Sequence, residues 1–387
     1  MPLGFARTRH DRRRRAVAAL AAAAAAASLG LVACGGSDSS GGGSAKSGEK
    51  QKIAWLWYGA KNDGGYNTAN HTPTQDVLTK EFGDQIEQTD TDNIPYTAQL
   101  TQISEQAVQG GADMLVDTVA GGELFTRVCA KYPKVACIET NPPGPYPDIS
   151  SSSPANVSAI FPEFWNQEYV LGYAAGLVTK SNTVGFIAPY EISLAASVQN
   201  SFLLGCQSSN PKCQLRSVLI NNYYDPPAET RAARTLIDAG ADVVHGLVDT
   251  PSFCQVAEEK GVRAIGQWRD YSESCPNAWL TSPHWNYTKA YIDEVQLLVD
   301  GKWHGHRTSW LKLGEGADIV PMNKNAGKET IAKFDAEYEK VRGGFNPFVG
   351  PLYDNKGKLR VKEGQEMTKD QLYRKWNWKL RGTIGGK

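Results

Sequence analysis

The chain has 387 residues, with 41 basic and 41 acidic side chains and a net charge of +0 at neutral pH. No basic stripe stands out, so nucleic acid is not expected as a partner. Beyond one apolar stretch near the N-terminus there is no second long apolar segment, and the remaining body is expected to fold in water. That body has roughly 337 residues, a length typical of two domains.

The N-terminus has the features of a secretory signal. A basic run, "RTRHDRRRR", precedes the apolar "AVAALAAAAAAASLGLVA", which ends at Ala33 before Cys34. Leu-x-x-Cys after such a segment resembles the bacterial lipobox, in which the cysteine is diacylated and becomes the new N-terminus. We predict a signal peptide at 1–33 and a lipid anchor at Cys34 on the extracytoplasmic face of the cell membrane, because two acyl chains anchor a protein stably. The alternative is an ordinary signal peptide with a coincidental cysteine.

The residues after the predicted anchor form a linker and then a cysteine-containing body. Residues 34–50 are rich in Gly and Ser, which is typical of a flexible tether. Six further cysteines, an even number in an exported chain, indicate disulfides worth roughly 2.5 to 3.4 kcal/mol each. Zinc is the alternative, but no Cys-x-x-Cys or Cys/His cluster supports it, and we predict no metal site. Local spacing suggests the pairs Cys129–Cys137, Cys206–Cys213 and Cys254–Cys275, although sequence alone leaves the connectivity open.

The body alternates strand and helix patterns in two successive series. The first series runs through the strand "KIAWLWY", the helices "TPTQDVLTKEFG" and "QLTQISEQAVQGGA", the strand "DMLVDTV", the helix "ELFTRVCAKYP" and the strand "KVACIET". The second begins with the helix "FWNQEYVLGYAAGLVTK" and continues through the strands "TVGFIAP", "LRSVLIN", "DVVHGLV" and "VRAIGQW" with helices between them. This alternation predicts an α/β fold of two Rossmann-like lobes with parallel sheets.

The residues that follow these strands are the candidate binding residues, because ligands of open parallel sheets bind outside the carboxyl ends of the strands. Turn chemistry explains Asn and Asp at such places, but it explains the aromatic residues less well. We interpret His71 as a surface or helix-cap residue, with contact to the ligand as the alternative. The predicted ligand-binding residues are Asp63, Tyr66, Asn67, Asp117, Trp165, Asn221, Asp249, Trp268 and Asp270, of which Trp165 fits the core equally well.

Several segments, in this order, resemble the basic membrane protein family of lipoproteins, from about residue 52 to the C-terminus. They include "IAWLWYGAKNDGGYNTAN", "YYDPPAETRAARTLIDAGADVV" and "FVGPLYDNKGKLRVKEGQEM". The resemblance implies the architecture of type I periplasmic binding proteins, with a ligand cleft between two lobes joined by three crossings. We expect lobe 1 at 51–164 plus about 283–312, and lobe 2 at 165–282 plus about 313–387. Characterised members of the family bind purine nucleosides or related purines and serve ABC importers.

The resemblance also implies roles for individual residues. An Asp-Gly-x-aromatic-Asn element falls on Asp63, Gly64, Tyr66 and Asn67, where the aromatic is expected to stack on the base. In the loop that carries two acids for the ribose hydroxyls, Asp270 fits the second acid, but the segment "AIGQWRD" has a tryptophan in place of the first. Tryptophan cannot accept a proton from a hydroxyl group, so this departure favours a free base or another flat ligand.

The sequence therefore predicts a monomeric, membrane-anchored binding lipoprotein without a cofactor. It would close around a purine base or purine nucleoside and deliver it to an ABC permease. Two alternatives remain: a ligand sensor for a membrane receptor, and a lipid-anchored enzyme acting on nucleosides. We predict that the protein is not an enzyme, because the chain contains no Gly-x-Ser-x-Gly, His-Glu-x-x-His or Walker motif.

Overall fold

The computed structural model describes residues 49–95, 97–118, 121–141 and 153–385 of the chain. All of these residues belong to one compact unit. The predicted signal peptide, Cys34 and nearly all of the predicted linker lie outside the described residues. Among the described residues, no helix is both long enough and apolar enough to cross a bilayer.

Strands and helices alternate along most of the described chain. The strands there are β1 Gln51–Leu56, β2 Ile86–Thr91, β3 Met114–Asp117, β4 Ala136–Thr140, β5 Val157–Pro162, β6 Thr183–Ala188, β7 Gln214–Leu219, β8 Val243–Gly246, β9 Arg263–Ala264, β10 Pro283–Trp285, β11 Thr308–Leu313, β12 Gly316–Ile319, β13 Leu352–Tyr353, β14 Leu359–Val361 and β15 Thr383–Ile384. The α-helices are α1 Tyr66–Asn70, α2 Thr72–Phe82, α3 Ala98–Gln109, α4 Gly122–Lys131, α5 Phe164–Val178, α6 Ser193–Ser209, α7 Pro226–Asp238, α8 Ser252–Lys260, α9 Thr288–Val299 and α10 Lys328–Arg342.

The first sheet contains eight of the strands in the described chain, in the order β10-β12-β11-β5-β4-β3-β1-β2. Its neighbouring strands run parallel, except that β10 is antiparallel to β12. Strands β3, β4 and β5 are buried along their whole length, which is usual for parallel strands covered by helices on both faces. The edge strand β2 instead exposes most of its polar sequence "IEQTDT" to solvent.

The second sheet has the order β15-β7-β6-β8-β9 in the part of the chain that the structure describes, and all its pairs are parallel. Together the two sheets confirm the predicted α/β class with parallel sheets. Residues 51–162 and 283–319 supply the strands of the first sheet, whereas residues 183–264 and 383–384 supply those of the second. The lobe boundaries given above stay a prediction.

Five of the eight strands of the first sheet in the described chain are missing from the predicted elements, namely β2, β5, β10, β11 and β12. The sequence of β2 is polar and lies between two helical patterns, so it lacks the apolar run by which a buried strand is recognised. The sequence of β5, "VSAIFP", is apolar but short, and it leads almost directly into α5. Both strands are stabilised by pairing with neighbours that are distant in the sequence, and local patterns do not report such pairing.

Helices α5 and α6 pack against each other at unusually short range. A Cβ on Gly172 of α5 would lie 1.8 Å from the carbonyl oxygen of Phe202 in α6. A Cβ on Gly205 of α6 would lie 1.8 Å from the carbonyl oxygen of Tyr169. The glycines in "VLGYAAG" and "LLGCQ" therefore allow the two backbones to touch, and α5 is buried almost all round.

Three disulfides join helices to the segments that follow them. They link Cys129 of α4 to Cys137 of β4, Cys206 of α6 to Cys213 just before β7, and Cys254 of α8 to Cys275. These are the three pairs that local spacing suggested. All six cysteines are buried.

Candidate functional site

Loops at the carboxyl ends of the strands bring the two sheets into contact. The loop after β1 belongs to the first sheet, and the loop after β8 belongs to the second. Gly65 of the former lies directly against Asp249 of the latter, since a Cβ on this glycine would be 2.7 Å from the Asp249 carbonyl oxygen. Carboxyl-end loops are where ligands bind in open parallel sheets, so this contact marks the candidate site.

Asp63 organises the loop after β1. Its carboxylate accepts hydrogen bonds from the backbone N–H groups of Gly65 at 2.8 Å, Asn67 at 2.9 Å and Thr68 at 3.0 Å. These N–H groups stand at the start of the short helix α1, where a carboxylate is favourable. Both carboxylate oxygens of Asp63 thus accept hydrogen bonds from the backbone at the start of α1. These bonds fix the position of Tyr66, the first residue of that helix.

Asn67 supports the same loop from the inside. Its side-chain amide donates to the backbone carbonyls of Tyr58 at 2.9 Å and Ala60 at 3.1 Å. The side chain is buried, and its Oδ1 atom has no hydrogen-bond partner among the described residues. A buried acceptor without a partner can bind a donor group from a ligand.

The Tyr66 hydroxyl is the centre of a buried hydrogen-bond network. It lies 3.1 Å from both the Tyr287 hydroxyl and His71 Nε2, and it accepts a hydrogen bond from Asn141 Nδ2 at 3.0 Å. The second His71 nitrogen lies 3.2 Å from the Tyr291 hydroxyl, and the His71 ring stacks on Tyr287 with centroids 4.4 Å apart. This network holds one edge of the Tyr66 ring in place.

His71 is therefore not on the surface, and that part of the interpretation above is wrong. The residue does precede α2 at the cap position, but its side chain makes no capping bond and is wholly buried. Burial lowers its pKa from 6.5 to about 3, so the ring is neutral. A neutral imidazole both donates and accepts one hydrogen bond, which suits its position between two tyrosine hydroxyls.

An aromatic group connects the two sheets. Tyr66 lies in α1, which follows β1 of the first sheet, and Trp285 is the last residue of β10 in the same sheet. Trp268 follows β9 of the second sheet. The ring centroids of Tyr66 and Trp268 are 5.2 Å apart, those of Trp268 and Trp285 are 4.7 Å apart, and all the contacts are edge-to-face. Such contacts are a favourable geometry for aromatic pairs.

Asp249 lies beside this aromatic group. Its Oδ1 accepts a hydrogen bond of 2.7 Å from Trp268 Nε1. Burial raises the pKa of the Asp249 carboxyl to about 7; the bond from Trp268 opposes this shift, and the negative charge of Asp63 adds to it. The site thus contains a carboxyl group that titrates near neutral pH.

Asp117 and Glu139 form a second pair of acids at the neighbouring strand ends. They are register partners on β3 and β4, and both are buried. Asp117 accepts the N–H of Gly121, and Glu139 Oε1 accepts the N–H of Gly122 at 2.6 Å. Burial raises the pKa of Glu139 to about 8, and the charge of Asp117 adds to the shift, so Glu139 is largely protonated at neutral pH.

The remaining predicted site residues lie apart from the aromatic group. Trp165 is buried in α5, with its ring 5.3 Å from Phe164 and 5.9 Å from Trp310, as a core residue would be. Asn221 is exposed with a φ of 58°, a backbone conformation that Asn tolerates in turns. Asp270 is also exposed, and its Oδ1 accepts the N–H of Ser272 at 2.6 Å.

The sequence of this chain matches a known protein family over residues 50–342. That family is Bmp, described as "ABC transporter substrate-binding protein PnrA-like". The chain belongs to the Bmp family. It is therefore a substrate-binding protein of the ABC transporter type, which agrees with the family resemblance noted in the sequence.

Individual relatives of this Bmp protein extend over most of its length. A purine-binding protein of Brucella abortus is 27% identical over 84% of this chain and 90% of its own. A putative ABC transporter glucose-binding protein of Haloferax volcanii is 26% identical over 76% of this chain and 73% of its own. Among solved structures, an ABC transporter solute-binding protein from Conexibacter woesei superposes with a TM-score of 0.62 at 21% identity, covering 76% of this chain and 97% of that one.

Three members of the Bmp protein's buried network were missed in the sequence, namely Asn141, Tyr287 and Tyr291, and a fourth, His71, was misinterpreted. Asn141 follows β4 and could have been found by the strand-end rule, which already pointed to its neighbours. Tyr287 follows the short antiparallel strand β10, which the alternating pattern did not reveal. Tyr287 meets Tyr66 and His71 because the strand before it, β10, pairs into the first sheet and contacts α1.

Proposed function

We propose that this Bmp protein captures a purine base or purine nucleoside between its two sheets and delivers it to an ABC permease. The observation that carries the proposal is the meeting of Tyr66 and Trp268, one from each sheet, beside the carboxyl group of Asp249. Aromatic faces bind a flat heterocycle, and a few polar groups around them read its rim. The purine-binding relative from Brucella abortus supports the choice of ligand class.

Ligand entry requires the aromatic group to separate. Tyr66 and Trp268 touch each other with centroids 5.2 Å apart, whereas a base sandwiched by two rings needs about 7 Å, or twice the ~3.5 Å contact distance. The cleft would open for entry and close again with the ligand in place of the direct ring contact. Hinge closure of this kind would give the ligand-bound protein a conformation that a permease can distinguish from the ligand-free one.

The polar groups beside the rings would read the rim of the base. Asp249 would accept an N–H of the ligand, and Asn67 Oδ1 offers a buried acceptor in the same loop system. A site of this kind rejects analogues that lack the matching donors, because its buried groups would be left without partners. This is recognition without bond breaking, and the proposal treats the chain as a binding protein, not an enzyme.

The proposal includes a lipid anchor. Cys34 follows an apolar segment in a lipobox pattern, and a Gly/Ser-rich tether separates it from β1. Diacylation at Cys34 would hold the binding unit on the extracytoplasmic face of the membrane, close to a permease. Metabolic labelling with a palmitate analogue would test this, and a Cys34→Ala variant should lose the label.

A calorimetric ligand panel tests the proposed ligand class. Adenine and adenosine should bind the protein, whereas uracil, uridine and glucose should not. Tyr66→Ala should weaken adenine binding by roughly tenfold or more, because it removes one of the two rings between which the base would lie. Tyr132→Ala, at the far end of α4, is the matched control and should leave binding unchanged.

The same panel can contradict the proposal. Binding of glucose without binding of adenine or adenosine would assign the protein to sugar transport, as the name of the Haloferax relative suggests for that protein. Equal loss of adenine binding in the Tyr66→Ala and Tyr132→Ala variants would remove Tyr66 from the site.

A further inference from the structure

Trp268 has a backbone conformation that a bulky residue rarely adopts. Its φ is 66°, in the left-handed region, where the Cβ atom of an L-residue is crowded by neighbouring backbone atoms. Such a conformation costs free energy and persists only where the surrounding structure holds it. Because the Trp268 ring also meets Tyr66 of the other sheet, the contacts that hold this backbone affect the candidate site.

Two histidines hold the segment that contains Trp268. His284 Nδ1 lies 3.2 Å from the carbonyl oxygen of Trp268 and donates to it, because a carbonyl oxygen can only accept. Three residues earlier, the carbonyl oxygen of Ile265 accepts a hydrogen bond of 3.1 Å from His245 Nδ1. His284 belongs to β10 of the first sheet, and His245 belongs to β8 of the second. The segment is thus held from both sheets.

Gln167 of α5 is fully buried and bonds to the strand that carries His284. Its Nε2 donates to the carbonyl oxygen of His284 at 3.1 Å and to that of Asp318 in β12. Its Oε1 accepts a hydrogen bond of 2.7 Å from Trp285 Nε1. This one side chain therefore fixes both the residue that bonds to the Trp268 backbone and the tryptophan whose ring centroid lies 4.7 Å from that of Trp268.

Glu168, the next residue of α5, makes the corresponding contact to the second sheet. The side chain is buried, and its Oε2 lies 3.1 Å from His245 Nε2. His245 Nδ1 already donates to Ile265, so one further proton lies between Nε2 and the carboxyl group, on either partner. The rings of Phe186 and Phe202 lie on the same histidine, with centroids 5.4 and 5.0 Å from that of the imidazole. The bond to Glu168 therefore fixes the orientation of the ring that holds Ile265.

The order of these two residues along α5 explains how one helix reaches both sheets. Adjacent residues of an α-helix point about 100° apart, so Gln167 faces the first sheet and Glu168 faces the second. Buried polar side chains need hydrogen-bond partners in any fold. That requirement does not explain why the partners of both side chains lead, through one histidine each, to the segment of Trp268.

We propose that Gln167 and Glu168 are positioning residues of the ligand site, which hold Trp268 and Trp285 in place where the two sheets meet. The inference rests on the proposed function, because it takes these rings as part of the ligand-binding surface. Neither positioning residue touches the ligand, and each acts through a histidine. The left-handed backbone of Trp268 is the conformation that they maintain.

Calorimetric titrations of adenine into paired variants test this role. Glu168→Leu removes the bond to His245 and should weaken adenine binding roughly fivefold, about the effect of one lost hydrogen bond. Glu168→Gln retains a donor for His245 Nε2 and should recover most of the lost affinity. Tyr169→Phe is the matched structural control on the same helix. It removes the bonds of the buried hydroxyl to Ser208 and Glu337, and should lower stability without changing adenine affinity.

A double-mutant cycle with Trp268→Phe separates positioning from general damage to the fold. If Glu168 and Gln167 act through Trp268, the effects of Glu168→Leu and Gln167→Met on adenine affinity should largely disappear in the Trp268→Phe background. The near-ultraviolet circular dichroism of the ligand-free protein gives a second readout. The spectral change caused by Glu168→Leu should also shrink when Trp268 is replaced.

The outcomes distinguish failure of this inference from failure of the proposed function. If the unmodified protein binds neither adenine nor adenosine, the proposed function is wrong, and the circular dichroism cycle decides the positioning role without a ligand. If the protein binds adenine but Glu168→Leu and Trp268→Phe act additively, only the positioning role is overturned. An equal loss of adenine affinity in Tyr169→Phe and Glu168→Leu would also overturn it.

Discussion

Glu139 shows at the scale of one residue how burial sets a protonation state. The side chain is fully buried at the end of β4, beside Asp117. Burial raises its pKa from 4.5 to about 8, and the neighbouring negative charge acts in the same direction. In the unfolded chain the same group titrates at its ordinary value. Between these two pKa values the folded protein holds a proton that the unfolded chain has released.

The stability of the protein should therefore depend on pH through this residue. Raising the pH from about 4.5 to about 8 favours unfolding, at up to about 1.4 kcal/mol per pH unit. Glu139→Gln mimics the protonated form and should remove this contribution. Urea unfolding at several pH values would show the stability of the variant rising relative to the unmodified protein across that window. Parallel profiles for the two proteins would contradict the raised pKa, and the exposed Glu123→Gln serves as the control.

At the scale of secondary-structure elements, the contact between α5 and α6 depends on the absence of side chains. Gly172 and Gly205 lie against carbonyl oxygens of the facing helix, at distances where a Cβ has no space. Since backbone atoms cannot move aside as a flexible side chain can, a methyl group would force the helices apart. Helix α5 is also bonded to the first sheet, because Gln167 accepts a hydrogen bond of 2.7 Å from Trp285 Nε1 of β10.

Gly172→Ala should therefore destabilise the protein by about 1–3 kcal/mol or more, as overpacking does in well-packed cores. Gly110→Ala is the matched control, because its Cβ would be 3.4 Å from the nearest atoms and its φ of −74° suits alanine. This change should be neutral or stabilise by less than about 1 kcal/mol. Chemical denaturation of both variants would measure the difference in their free energies of unfolding. Equal values would show that the two helices move apart at little cost.

At the scale of the whole molecule, the contact between the sheets depends on Gly65. This glycine of the loop after β1 lies against Asp249, and a Cβ there would lie 2.7 Å from the Asp249 backbone oxygen. The partly exposed acids Asp249 and Asp63 oppose closure, because the negative charge of Asp63 helps to raise the pKa of Asp249. The closed arrangement is thus stabilised by the aromatic group and opposed by the two acids.

Gly65→Ala should act as a wedge that shifts the molecule towards an open cleft. Its radius of gyration, measured by small-angle X-ray scattering, should exceed that of the unmodified protein. Adenosine affinity should fall, because part of the binding free energy is then needed to close the cleft. Gly110→Ala should change neither quantity. A scattering profile identical to that of the unmodified protein would show that the loop adapts without opening the sheets.

Most of the fold could be predicted from the order of apolar strand patterns and amphipathic helices. The predicted strands "KIAWLWY", "KVACIET" and "TVGFIAP" coincide with β1, β4 and β6 to within a few residues, because parallel strands covered on both faces need continuous apolar sequences. The edge strand β2 was not predicted, because an edge strand can have a polar sequence. Strands β11 and β12 were not predicted either. They belong to the first sheet because β11 pairs with β5, which is distant in the sequence, and β12 pairs with β11.

The sequence by itself determined the α/β class and the loops that carry the candidate site, because both depend on patterns within a few neighbouring residues. Local spacing suggested the cysteine pairs, and the structure contains them. Only the tertiary structure decided which loop residues meet. It placed Trp268 against Tyr66 and Asp249, left Asn221 and Asp270 at the surface, and buried His71. The physical reason is that side chains meet across the cleft through the packing of two sheets, which local spacing does not encode.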